Sequence, residues 1–300
     1  MQESKWIWFN GKFVEWEKAR VHVLSHALHY GSGVFEGIRA YKTSKGTAVF
    51  RLKDHVKRFL KSWSILKLNN PYSQEELEKA ILETLRKNEL EEAYIRPIIF
   101  CGYGEMGLRN LDKAKVEVVI AAWPWPKYLA GDAIKVKIAE IKRINPESLK
   151  VEAKVTGHYI NSILASIEAK EKGFDEALLL DLDGNVAEGP GENIFLIKDN
   201  KLITPSKGSI LPGITRDSVI ELAKDLGYVV EEKNISLQEM LNADELFFTG
   251  TAAEITAIGQ VDDKTIGNGK IGKVTEKLKK EFLKVVHGEN EKYEKWLSYV

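Results

Sequence analysis

Three hundred residues with 44% hydrophobic, 29% charged and 9% aromatic content exclude a disordered chain, a collagen and a small disulfide scaffold, and suit about two domains that bury about three quarters of the chain's surface. The 44 basic residues balance the 44 acidic ones, so the chain has no global attraction to nucleic acid or acidic lipid. The single cysteine, Cys101, excludes an internal disulfide and a multi-thiolate metal site and fits a reducing cytoplasm. No signal peptide is expected from Met1 to Asn10, and the longest apolar stretch, near Val118 to Trp125, is too short to span a bilayer.

Elements of both types alternate along the chain. His22, His26 and His29 have helical spacing, which would let one helix face hold a metal. No carboxylate accompanies them, however, and alternation through Val21, Val23 and Leu28 also suits an extended chain with packing histidines. Lys53 to Leu68 reads as a helix with Val56, Phe59, Leu60 and Trp63 on one face. Ser73-Gln74-Glu75-Glu76 is a capping-box signature for a helix that carries Leu77, Ala80, Ile81, Thr84 and Leu85. Tyr94 to Phe100 and Val116 to Trp123 read as strands. Gly102-Tyr103-Gly104-Glu105-Met106-Gly107 fits the dinucleotide pattern, but no clear helix follows it. A glycine-rich turn, or a close approach to a ligand, is the better reading. Pro124-Trp125-Pro126 breaks both helix and strand. It predicts a linker over 126–133 between a small N-terminal α/β domain, 1–125, and a large C-terminal domain, 134–300.

In the second half a strand starts near Ile134, and Val155 to Lys172 predicts a helix stopped by Gly173. Glu176 to Asp181 is a short apolar strand closed by Asp183-Gly184, and Glu192 to Ile197 with Lys201 to Thr204 predicts a hairpin around Asp199-Asn200. Pro212-Gly213 precedes a helix to Leu226, with Gly227 as its stop. Ser236-Leu237-Gln238-Glu239 is another capping box, Glu245 to Thr249 a strand, and a final helix runs from about Lys273 to Val286. These elements predict two domains of α/β or α+β type. Gly267-Asn268-Gly269-Lys270-Ile271-Gly272-Lys273 nearly fits a nucleotide phosphate loop. Val274 stands where Ser or Thr would bind magnesium, though, and the preceding residues are polar where a buried strand is required. A surface loop capping the last helix is the plainer reading.

Several segments carry chemistry. Lys154 has small or apolar neighbours, so it is either a snorkelling surface residue or a desolvated, nucleophilic amine. Glu188-Gly189-Pro190-Gly191-Glu192-Asn193 forms a tight connection whose carboxylates are either solvated or buried; a buried Glu188 suits a protonated ring nitrogen. Leu211-Pro212-Gly213-Ile214-Thr215-Arg216 opens a helix, whose first amides and dipole make an anion site. Thr249-Gly250-Thr251-Ala252-Ala253 is a second candidate cradle, and Arg58 adds a charge-assisted contact to a phosphate.

The order of Tyr30-Gly31-Ser32-Gly33-Val34-Phe35-Glu36-Gly37-Ile38-Arg39, Tyr94-Ile95-Arg96-Pro97, Lys154 to Tyr159, Glu188 to Asn193, Leu211 to Arg216 and Thr249 to Glu254 resembles the branched-chain-amino-acid aminotransferases, fold-type IV enzymes that use pyridoxal 5'-phosphate. The match keeps one register from about Trp6 to the last helix, and the segments are specific as an ordered set rather than singly. The resemblance implies transamination of L-leucine, L-isoleucine and L-valine with 2-oxoglutarate by a ping-pong mechanism, in branched-chain amino-acid biosynthesis. It implies that Lys154 bonds the cofactor and then moves a proton between substrate and cofactor. Glu188 would hold the pyridine nitrogen and Tyr159 the ring oxygen. Arg58, Ile214, Thr215 and Thr251 would hold the phosphate, with Gly213 giving backbone room. Tyr94 and the amides of Ala252 and Ala253 would bind the substrate carboxylate. Phe35, Gly37, Met106, Leu108 and Trp125 would supply apolar walls, and Tyr30, Arg96 and Tyr128 a polar face, with Met106 reaching a neighbouring subunit's pocket in a homodimer or homohexamer. No metal, nucleic acid or membrane is implied.

The rivals of the same fold are a D-amino-acid aminotransferase and the 4-amino-4-deoxychorismate lyase. Both tend to lack the Phe35 to Arg39 run paired with Arg96-Pro97. A nucleotide-binding protein using Gly267 to Lys273, or a catalytically dead scaffold, are the readings of a different class.

Overall fold

The computed structural model describes residues 2–125 and 133–300; the expected linker lies, apart from Ala133, outside the described residues. The chain forms two compact units. The first takes residues up to 126 together with Ala153–Gly157 and Lys284–Val300, and the second takes 127–152 and His158–Leu283.

The first unit contains β1 (Trp6–Phe9), β2 (Lys12–Glu15), α1 (His26–Tyr30), β3 (Gly33–Phe35), β4 (Ile38–Thr43), β5 (Gly46–Phe50), α2 (Leu52–Ser64), α3 (Gln74–Lys87), β6 (Ala93–Cys101) and β7 (Val116–Trp123). Its antiparallel sheet runs in the order Leu297–Tyr299, β5, β4, β6, β7, β1, β2, with β3 pairing β6. Strand alternation decides what each face does. Ile38, Ala40, Ile95, Ile99, Val118, Ile120 and Ala122 enter one core with Val56, Phe59 and Trp63 of α2 and Leu77, Ile81 and Leu85 of α3. The alternate positions, Tyr94, Arg96 and Trp123, go to the other face. The Ser73 capping box forms in full, with Ser73 Oγ accepting from the Glu76 amide (3.2 Å) and the Glu76 carboxylate from the Ser73 amide (2.7 Å). Helix α2 ends at Ser64 rather than Leu68, because the chain turns there and Lys67 takes a φ of 54°.

The Gly102–Gly107 segment leads into no α-helix, only a short 3-10 turn at Leu111–Lys113. Two of its glycines serve packing: a Cβ on Gly104 would lie 2.8 Å from Ala114 Cα, and one on Gly102 2.6 Å from the Glu117 side chain.

The second unit contains β8 (Ile134–Ile138), α4 (Tyr159–Glu171), β9 (Glu176–Leu180), β10 (Val186–Glu188), β11 (Asn193–Lys198), β12 (Lys201–Pro205), α5 (Ile214–Asp225), β13 (Val230–Lys233), α6 (Leu237–Leu241), β14 (Glu245–Gly250), β15 (Glu254–Val261), β16 (Lys264–Thr265) and the start of α7 (Lys273–Val286). The sheet order is β10, β9, β8, β15, β14, β11, β12, β13, and β10 also pairs β11, so six of these strands close into a ring. Leu178, Leu180, Ile194, Leu196, Leu246, Phe248 and Ile258 share one core, while Ala177 and Leu179 face Ala165 and Ala169 of α4. The β11–β12 turn uses Asp199 (φ 48°) and Asn200 (φ 62°), the left-handed pair that a tight hairpin requires.

Two expectations differ from this arrangement. The helix expected from Val155 begins as an α-helix only at Tyr159, after a 3-10 turn at Thr156–His158. Lys154 and its neighbours belong to the first unit rather than to a C-terminal domain 134–300, because Val155 bridges Val34 and the flanking backbone bonds to β3 and α2. The C-terminal strand Leu297–Tyr299 also joins the first unit, through its pairing with Ala48–Phe50.

Candidate active site

The chemistry-bearing residues form two groups, one in each unit. In the first unit, the Lys154 segment is stitched down on both sides. Its carbonyl accepts from the Phe35 amide (3.1 Å) and its amide donates to Ser62 Oγ of α2 (3.0 Å). Thr156 Oγ1 donates to the Gly31 and Gly33 carbonyls (2.9 and 3.1 Å). Gly31 has a φ of 64°, and a Cβ there would sit 2.8 Å from Gly157 Cα, so only glycine allows this approach.

The half-buried Lys154 Nζ lies 5.0 Å from the centroid of the Phe35 ring, and Arg96 Cζ lies 4.7 Å from the same centroid. Arg96 Nη2 donates to Tyr94 Oη (3.2 Å), and the Tyr94 ring packs at 5.3 Å from Trp123 and 4.6 Å from Trp125. Gly37 makes room for that hydroxyl, since a Cβ on it would stand 2.0 Å from Tyr94 Oη. Arg96 Nε and Trp123 Nε1 are buried with no hydrogen-bond partner among the described residues, so donors remain beside an aromatic wall. The structure thus brings together Phe35, Gly37, Tyr94, Arg96, Trp125 and Lys154.

Arg58 sits on α2 with its guanidinium paired to Glu36 (Nε to Oε1 2.7 Å, Nη2 to Oε2 2.9 Å), and His55 Nδ1 lies 2.8 Å from Glu36 Oε2. Burial raises the Glu36 carboxyl, but Arg58 and His55 outweigh it and hold the group far below the usual carboxylate range. Burial pushes the His55 imidazole down.

Tyr30, Met106 and Leu108 lie elsewhere on this unit, on α1 and the loop it meets. Tyr30 packs on His26 (4.5 Å), His26 Nδ1 lies 2.7 Å from Ser32 Oγ and its Nε2 3.4 Å from the Gly107 carbonyl. None of the three meets the Phe35–Tyr94–Arg96 group by a hydrogen bond or ring contact, and Leu108 is 78% exposed. Tyr128 lies outside the described residues. The expected alternative of a metal on His22, His26 and His29 has no support in the geometry: among the described residues no group of three or more His, Cys, Asp or Glu is placed to hold an ion.

In the second unit, Glu188 ends β10 and is buried. Its Oε1 accepts from Arg143 Nε (2.7 Å), its Oε2 from Asn193 Nδ2 (3.0 Å), and the Leu211 amide reaches both oxygens (3.2 and 3.1 Å). Asn193 Nδ2 also donates to the Leu211 carbonyl (2.9 Å), which ties this carboxylate to the segment that opens α5. Gly213 is the N-cap of α5 and offers no side chain to its first amides; a Cβ there would lie 2.0 Å from Asn193 Oδ1. Ile214 and Thr215 form the first turn. The β11–β14 pairing of Asn193 with Thr249 brings the turn of Thr251, Ala252 and Ala253 to the same end of the sheet, where a Cβ on Gly250 would lie 3.3 Å from the Gly191 carbonyl. Tyr159 starts α4.

Arg143 is the residue the sequence does not reveal. It lies between elements and in no motif, and its ion pair with Glu188, beside a bond from Nη1 to Asn161 Oδ1 (3.4 Å), marks it. Glu36 and His55 have a weaker signal: Glu36 lies inside the Phe35 to Arg39 run, and His55 precedes Arg58 by one helical turn.

The donor set fits a phosphorylated pyridine with an aldehyde: an amine at Lys154, a buried carboxylate held by three donors, and an α5 N-terminus without a side-chain cap. Residues 33–261 match the family model for amino-transferase class IV. The chain belongs to the class IV aminotransferases. It is 47% identical to a Pseudomonas aeruginosa protein named branched-chain-amino-acid aminotransferase, over 98% of this chain and 97% of that one. Crystal structures of the T.th. branched-chain amino acid aminotransferase superpose with a TM-score of 0.97 for its complex with N-(5'-phosphopyridoxyl)-L-glutamate (46% identity) and 0.96 for that with 4-methylvaleric acid (45%), each covering 100% of this chain and 99% of the other. The fold-type IV architecture expected from the resemblance holds over the full length of this aminotransferase.

Proposed function

We propose that this aminotransferase moves the amino group of L-leucine, L-isoleucine or L-valine to 2-oxoglutarate, giving the branched-chain 2-oxo acids and L-glutamate, with pyridoxal 5'-phosphate as cofactor. The observation that carries the reading is the Phe35 ring, which has the Lys154 amine and the Arg96 guanidinium over it and the Tyr94–Trp123–Trp125 aromatic group alongside. An aromatic wall accepts an aliphatic side chain, and an adjoining arginine accepts the second carboxylate of glutamate. The relatives named for this activity, and the solved complexes with a phosphopyridoxyl glutamate and a branched acid, support the same pairing of substrates.

When bound, pyridoxal phosphate supplies the carbonyl that receives the amino group and an electron-withdrawing ring. The chain's own residues do the rest. Lys154 Nζ would take the proton from substrate Cα and return it to the cofactor's C4′ carbon. Glu188, kept in place by Arg143, Asn193 and the Leu211 amide, holds the proton on the ring nitrogen. Tyr159 hydrogen-bonds the ring oxygen, and the Ile214 amide, the amide and hydroxyl of Thr215, the Thr251 hydroxyl and Arg58 take the phosphate, with Gly213 leaving space. Tyr94 and the amides of Ala252 and Ala253 orient the substrate carboxylate. Phe35, Gly37 and Trp125 would line the side-chain pocket with Arg96 and Tyr128 on its polar face, and Tyr30, Met106 and Leu108, which lie apart from this group, would complete such a pocket from a second copy of the chain. Discrimination of single methyl groups in such a pocket is worth about 1–3 kcal/mol, so preference among the three substrates is relaxed.

The protein works as a homo-oligomer, a dimer or hexamer, in the cytoplasm. Two apolar surfaces support a second copy: Val23 (74% exposed), Leu28, Tyr30, Tyr103 and Leu108 around α1, and the stripe of Ile160, Ile163, Leu164 and Ile167 on α4. A buried thiol at Cys101 suits a reducing compartment, and among the described residues no helix is long and apolar enough to cross a membrane.

The test is the visible spectrum of the purified protein. A yellow band that bleaches with L-leucine and returns with 2-oxoglutarate is the expected result. No band after incubation with pyridoxal phosphate, or bleaching by D-alanine alone, overturns the assignment.

A further inference from the structure

Phosphate binding explains why Arg58 is on α2, but it does not explain Glu36. This carboxylate is fully buried, and an ionised group there is costly unless its partners replace the lost water. Arg58 donates to both oxygens (2.7 and 2.9 Å), His55 Nδ1 lies 2.8 Å from Oε2, and the Gly37 amide donates to Oε2 (3.3 Å). The pair with Arg58 is two-pointed, so it fixes the plane of the guanidinium as well as its position. It engages Nε and Nη2 of the fork, and 13% of the Arg58 side chain is exposed. The same helix face carries His55, Arg58 and Ser62 at helical spacing, and Ser62 Oγ accepts from the Lys154 amide.

We infer that Glu36 is a positioning residue: it locks the Arg58 guanidinium, with His55 held on the same carboxylate, so that the arginine meets the cofactor phosphate already oriented. The inference rests on Arg58 being a phosphate ligand, as proposed above. Because the pair is close to neutral, Glu36 adds no attraction for an anion. Its contribution is that the long Arg58 side chain is ordered before binding rather than during it.

The experiment measures dissociation constants of the apo protein for pyridoxal phosphate and for pyridoxal, which lacks the phosphate, by absorption titration. Glu36→Gln is expected to weaken pyridoxal phosphate by about tenfold to a hundredfold, the range for losing a hydrogen bond to a charged group, and to leave pyridoxal unchanged. In an Arg58→Ala background the same substitution is expected to add nothing. Equal weakening of both ligands, or of neither, overturns the inference. Should Arg58→Ala itself fail to distinguish the two ligands, Arg58 is no phosphate ligand and the inference falls with that reading. When Arg58→Ala distinguishes them and Glu36→Gln does not, the inference alone falls. Arg58→Lys keeps the charge but cannot form the two-point pair, so it tests the same point if Glu36→Gln does not fold: selective loss of pyridoxal phosphate supports the lock, and wild-type affinity overturns it.

Discussion

Helices α5 and α7 both begin in the second unit behind a glycine, with their first amides directed out of the helix, yet they have opposite fates. At α7 the Glu245 carboxylate accepts from the Val274 and Thr275 amides (3.1 and 2.8 Å) and from Thr275 Oγ1 (2.7 Å). The glycine before it, Gly272, is there to admit that carboxylate, since a Cβ would lie 2.0 Å from Glu245 Cδ. At α5 the cap is Gly213, which has no side chain to turn back onto the first turn, and the Asn193 side-chain amide beside it donates to Glu188 and to the Leu211 carbonyl. A helix N-terminus attracts an anion in either case. The string that most resembles a phosphate loop in sequence meets that demand with a carboxylate, and the one without a loop signature has a glycine cap that cannot.

The contrast can be broken by experiment. If the open end of α5 holds the cofactor's phosphate without help from the lysine, Lys154→Ala keeps the fold and binds pyridoxal phosphate noncovalently while turnover with L-leucine falls about a thousandfold or more. Steady-state assays beside equilibrium dialysis check this, and near-normal turnover refutes the role of Lys154. A smaller effect separates the two helix ends directly. Thr215→Val is expected to weaken pyridoxal phosphate by about tenfold, whereas Glu245→Ala leaves that affinity unchanged and lowers unfolding stability by about 1–2 kcal/mol through loss of a cap. Denaturant melts and cofactor titrations of both variants decide it, and a loss of cofactor affinity in Glu245→Ala would erase the distinction.

The smallest effect is in pH. Glu36 is held below its ordinary 4.5, so the stability it confers is present above that value and is lost as pH falls beneath it. His55 is held below its ordinary 6.5, so it also favours the folded state above 6.5 and penalises it on acidification. Melting temperature is therefore expected to decline from about pH 6.5 and more steeply below 4.5, and Glu36→Gln should flatten the lower limb.

Local signals in the sequence were legible and long-range ones were not. The bounds of α7, the Ser73 cap and the Asp199-Asn200 hairpin follow from periodicity, side-chain caps and turn chemistry, all of which act within a few residues. The β1–β2 hairpin has a turn signal in Asn10-Gly11, with positive φ at both residues, but its flanking strands of four residues each are too short for alternation to mark them. Lys154, Glu188 and the α5 opening were recognisable as an ordered set. The unit to which Lys154 belongs was not, because bonds spanning 92 and 125 residues place it there, and no window along the chain contains them. Arg143 was invisible for the same reason: its meaning comes only from Glu188, 45 positions away.

The strand Leu297–Tyr299 has a consequence for how the protein is made. It is the sheet neighbour of Ala48–Phe50, so the first unit's sheet cannot be completed until the ribosome has delivered residues 297–299. At about 5–20 residues per second that wait lasts roughly 10–50 s, during which the β5 edge offers unsatisfied backbone groups to any passing strand. The second unit's ring of strands is drawn from residues 134–261 and can close while synthesis continues. The later-encoded ring should therefore form before the earlier-encoded sheet gains its last strand.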